Sequence, residues 1–128
     1  MTIDDLHQLA TSLGVTVTAH TGGVKGWFEH RTKTISIRND LRAANYRCTL
    51  AYEIAHAVAG DTPTGIPHFD QRMERSADMT AASMLIDQDV YQQAEAVHGT
   101  HTGALARELG VTTHMLAVWR DTLERIRT

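Results

Sequence analysis

The strongest constraint on the fold is a change of pattern near residue 41. Before it, short pieces rich in β-branched residues alternate with glycines; after it, apolar residues recur at helical spacing almost to the end. Val15-Thr16-Val17-Thr18 is β-branched throughout, and Trp27-Phe28 and Thr34-Ile35-Ser36-Ile37 give two more short strands. His30-Arg31-Thr32-Lys33 supplies the turn between the latter two. Ahead of the strands, Thr2 with Asp5 has the form of a capping box, and Ile3, Leu6, Leu9, Ala10 and Leu13 follow at helical spacing up to Gly14. The pattern predicts one α+β domain over residues 1–128, with a small three-stranded antiparallel sheet packed on a predominantly helical body.

The helical part divides at its glycines and prolines. A helix from about residue 41 to 59 ends at Gly60, and residues 60–71, which hold both prolines and two glycines, read as a loop. Further helices are expected over about 69–86 and 88–97. A final pair, about 103–109 and 112–127, is separated by Gly110-Val111. Ala106, Gly110 and Leu116 have the spacing of a helix-turn-helix. Residues 103–128 hold four Arg against three acids, too nearly neutral for a phosphate-binding face. A packed hairpin anchored by Trp119 and Leu123 is therefore expected, and a DNA-binding regulator is the weaker alternative.

Composition narrows the setting. A formal net charge of −3 argues against a broad nucleic-acid surface, and no apolar run approaches the ~20 residues that would cross a bilayer. Residues 1–5 have no basic stretch leading into an apolar one, so a secretory signal is not expected. Cys48 is the only cysteine, which excludes an intramolecular disulfide and fits a reducing, cytoplasmic location. Eight histidines in 128 residues invite a search for metal chemistry.

That search leads to Tyr52-Glu53-Ile54-Ala55-His56. It differs by one residue from H-E-x-x-H, in which two histidines at i and i+4 hold zinc and the Glu is the general base. On a helical wheel Arg47, Leu50, Ala51, Ile54 and Val58 share one side, while Thr49, Tyr52, Glu53 and His56 share the other. On the following helix Glu74 and Asp78 lie one turn apart on one face, with Met73, Ala77, Thr80 or Ala81 and Met84 as its core stripe. Two stacked carboxylates repel unless a metal or a histidine lies between them. The E-x-x-x-D spacing matches an arrangement with Glu as zinc ligand and Asp behind it.

Taken together, Arg47-Cys48-Thr49-Leu50-Ala51-Tyr52-Glu53-Ile54-Ala55-His56-Ala57 and Glu74-Arg75-Ser76-Ala77-Asp78, with Ala81 to Ile86, resemble the ImmA/IrrE family of phage and bacterial metallopeptidases. The resemblance covers the central part of the chain. It implies Zn²⁺ held by His56 and Glu74, Glu53 as general base and Asp78 as the outer carboxylate. It further implies hydrolysis of a repressor-type transcriptional regulator, in a phage or prophage setting.

Tyr52 departs from the family pattern at the first ligand. A phenol has a pKa of about 10 and must lose a proton to bind as phenolate, a cost neutral imidazole avoids. Three states follow from the residues. Metal is held by Tyr52, His56 and Glu74; His68 is recruited from the intervening loop, with Asp61 a weaker recruit; or no tight metal is held and the cleft serves as a binding module that sequesters a regulator. In that last state Tyr52 could hydrogen-bond Asp78. His98-x-x-His101 reads as a surface turn, and His7, His20, His30 and His114 stand alone. Cys48 reads as a small packing residue, more than two turns (~12 Å) from His56 and so out of reach for proton transfer.

Overall fold

The computed structural model describes the backbone of residues 1–127 and side chains to residue 125. Helix α1 (Ile3–Ser12) leads into strands β1 (Thr16–His20), β2 (Gly26–Glu29) and β3 (Thr34–Arg38). Helices α2 (Ala43–Ala59), α3 (Pro67–Leu85), α4 (Gln88–His98), α5 (Thr102–Leu109) and α6 (Thr113–Arg127) follow. The α+β expectation holds. Thr2 closes the capping box on α1 with Asp5. Helix α3 starts two residues before the expected point because Pro67 occupies its first turn, where a missing N–H costs nothing.

The sheet differs from the antiparallel expectation. Its order is β1-β3-β2, with β1 parallel and β2 antiparallel to β3. The reason lies in the burial each strand can bear. Ile35, Ser36 and Ile37 are all buried, so β3 has both faces covered and takes the centre, while β1 and β2 keep exposed residues and form the edges. The chain must then cross the end of β3 between β1 and β2. The N–H groups of Arg38 and Asn39 donate to the carbonyls of Lys25 and His20, on either side of that crossing. His20 Nδ1 also lies 2.7 Å from the buried Ser36 hydroxyl.

Helix α2 lies across β2 and β3 and packs on α1 and α3; α3 in turn carries α6. Its Leu50, Ala51 and Ile54 are wholly buried, whereas Val58, assigned to the same side, is 61% exposed, because the last turn runs beyond the core. On α3 the buried residues are Ala77, Ala81, Ala82 and Leu85, with Met73 and Met84 half-buried and Thr80 exposed. Helices α5 and α6 form the expected packed hairpin: Leu105, Met115, Leu116 and Trp119 are buried, and Leu123 packs against them. Among the described residues no helix is long and apolar enough to cross a membrane.

Candidate functional site

The face of α2 opposite its apolar stripe forms one wall of a cleft. A cavity of about 360 Å³ lies between Tyr52, Glu53 and His56 on this helix and Trp27 and Phe28 on the edge strand β2, with Glu74 of α3 at its side. A second hollow of about 680 Å³ shares Tyr52, Glu53 and Glu74 and extends past Asp78 to Thr112 and His114 at the start of α6. Strand β2 comes this close because residue 26 is glycine. A Cβ there would stand 2.6 Å from Thr49 Cγ2 and 3.4 Å from Glu53 Cγ. A glycine inside a strand signals a close approach of this kind.

Glu53 is the unusual member. It is only 5% exposed, and its carboxylate has neither a hydrogen bond nor an ion pair. Burial pushes its pKa up to about 7, with a smaller opposing pull from His56. His56 is held firmly: its Nδ1 lies 2.8 Å from Asp61 Oδ2, and the Tyr52 ring meets it edge-on at 4.6 Å between centroids. With the Nδ1 proton donated to Asp61, Nε2 is the nitrogen free to meet a ligand. Burial raises the pKa of the Tyr52 phenol, and the nearby carboxylates Glu74, Glu53, Asp78 and Asp61 raise it further. It is therefore a hydrogen-bond donor, not a phenolate.

Tyr52, Glu53, His56 and Glu74 are thus brought to one cavity, and Asp78 to the hollow beside it. His68 is not: it is exposed on the first turn of α3, against Phe69. Asp78 accepts from His114 Nε2 at 3.0 Å, so its partner is a histidine of α6 and not Tyr52. The sequence leaves His114 isolated and offers Asp61 only as a weaker metal recruit, not as the partner of His56. Both roles depend on tertiary placement; the only local hint was the uncompensated Glu74/Asp78 pair. His98 and His101 act separately, the first 3.8 Å from Glu108 and the second capping α5 through Ala104 N–H. Cys48 is buried and accepts weakly from Thr112 N–H.

A short mixed sheet, an edge strand over a Glu-x-x-His helix and a carboxylate from the next helix define a zincin-like metallopeptidase domain. The chain belongs to the Peptidase_M78 family (IrrE N-terminal-like domain), whose pattern matches residues 6–118. A search of curated proteins returns no match.

Members of this family are in general zinc-dependent, so the donor set can be tested against zinc. Among the described residues no three His, Cys, Asp or Glu side chains converge on a point that would hold a metal. His56 and Glu74 supply two donors, and the third place belongs to a phenol whose proton is held by burial and by the surrounding negative charge. A catalytic zinc needs three protein ligands and an open position. The residues present do not fit one.

Proposed function

We propose that this domain is a non-catalytic binding module of the metallopeptidase family, which recognises a polypeptide segment of a repressor-type regulator in the Glu53 cleft. The observation that carries the reading is the Tyr52 phenol, protonated and ringed by carboxylates where the first zinc ligand would stand. The rest of the cleft is suited to a peptide. Strand β2 is a sheet edge, and an edge strand offers backbone N–H and C=O groups to an extended segment. Trp27 and Phe28 add apolar surface at the same wall. The repressor-type partner follows from the family resemblance.

A second reading, a weak zinc hydrolase, is favoured by two features. Glu53 has the pKa of a general base at neutral pH, and Asp61 orients His56 as a ligand-holding carboxylate would. The two readings separate when the chain is incubated with a repressor protein and excess zinc and the products are followed by intact mass. The binding reading predicts a complex with uncut repressor. Fragments that appear with the wild type and vanish in Glu53→Gln would overturn it.

A further inference from the structure

The charges around the cleft are unevenly paired. His56 is matched to Asp61 and His114 to Asp78. Lys25, which reaches the second hollow, donates to Asn45 Oδ1. That leaves Glu53 and Glu74, which border both spaces and have no ion pair or hydrogen bond. Glu74 is exposed and can be solvated where it stands. Glu53 is only 5% exposed and meets open space where it lines the cavity. A buried polar group without a partner is costly, and native structures rarely keep one unless a ligand or water completes it. In relatives with a full ligand set, a zinc ion would supply positive charge at this place. Here Tyr52 has removed the means of holding it.

We propose that the cleft takes a cationic side chain, arginine or lysine, of the bound peptide between Glu53 and Glu74. The inference rests on the peptide-binding reading above and specifies what that peptide must contain. Several features of the cavity suit such a group. Its volume of about 360 Å³ admits a long side chain, and Asp70 at its margin adds to the negative field. The Tyr52 ring offers an aromatic surface of the kind on which guanidinium groups stack. The phenol is a donor and adds no cation. A guanidinium presents a planar fork of donors suited to carboxylates such as the two that line this cavity.

The test uses the full chain and two short extended peptides identical except for one central residue, arginine in one and its neutral isostere citrulline in the other. Binding is followed by NMR, through the Trp27 indole and Tyr52 ring signals. The arginine peptide is expected to bind at least about tenfold more tightly. Glu74→Gln, on an exposed helix face and so a safe variant for folding, should remove most of that preference, and Glu53→Gln should do the same. Equal affinity for the two peptides would overturn the cationic preference while leaving peptide binding in place. If neither peptide moves the cleft signals, the binding reading falls with it. An undiminished arginine preference in both variants would also overturn the assignment.

Discussion

Arg47 and Glu53 stand six residues apart on the same helix and have opposite fates. The guanidinium of Arg47 reaches the carbonyls of Met1, Leu85, Leu109 and Gly110, at 2.8 to 3.1 Å. It thereby fastens the N-terminus, the end of α3 and the turn of the C-terminal hairpin to one point. Glu53, more deeply buried, has neither a hydrogen bond nor an ion pair. A charge saturated by backbone groups holds a fold together. A charge kept buried without a partner costs stability and is better explained by what it awaits. On the proposed binding reading, Arg47 marks a structural end of α2 and Glu53 a recognition end.

The largest effect should come from breaking the structural end. Arg47→Met keeps an unbranched apolar stem but strands these carbonyls, and should lower unfolding free energy by about 4 kcal/mol in chemical denaturation. Loss of under about 1 kcal/mol would show that water replaces the guanidinium easily.

The recognition end should respond in the other direction and with pH. The folded pKa of Glu53, about 7, lies above its usual 4.5, so the native chain retains a proton that the unfolded chain releases between these values. Its contribution is complete below pH 4.5 and is lost as pH rises through about 7. Glu53→Gln should therefore leave stability little changed near pH 4.5 and raise it at pH 8. At about 1.4 kcal/mol for each pH unit, the gain is at most roughly 3.5 kcal/mol. Equal Tm differences at the two pH values would contradict this.

A smaller effect is expected where the two walls of the cleft touch. Gly26→Ala places a methyl 2.6 Å from Thr49 Cγ2 and should cost about 2 kcal/mol by pushing β2 away from α2. Thr49→Ser removes that methyl and should recover most of the loss in the double variant. An additive double variant would place the strain elsewhere.

How much of this was readable in the sequence depended on the range of the interaction. The helices were legible because Leu50, Ile54, Ala77 and Ala81 repeat on one face, and the hairpin because Gly110 divides two such repeats. The meeting of Tyr52, Glu53, His56 and Glu74 followed from motif spacing on two consecutive helices. Strand order was hidden, since the choice of β3 as centre depends on what covers Ile35 and Ile37 from both sides. Asp61 beside His56 and His114 on Asp78 were hidden for the same reason. In each case a loop or a distant helix supplies the partner, and no local period announces it.

The central claim is that Tyr52 has turned a zinc site into a cleft for another ligand. It is tested most directly by titrating zinc into the wild type and Tyr52→His in parallel by calorimetry. The account predicts weak binding to the wild type and a gain of more than about 100-fold in Tyr52→His, where the third ligand is restored. Stoichiometric zinc bound as tightly by the wild type as by Tyr52→His would contradict it.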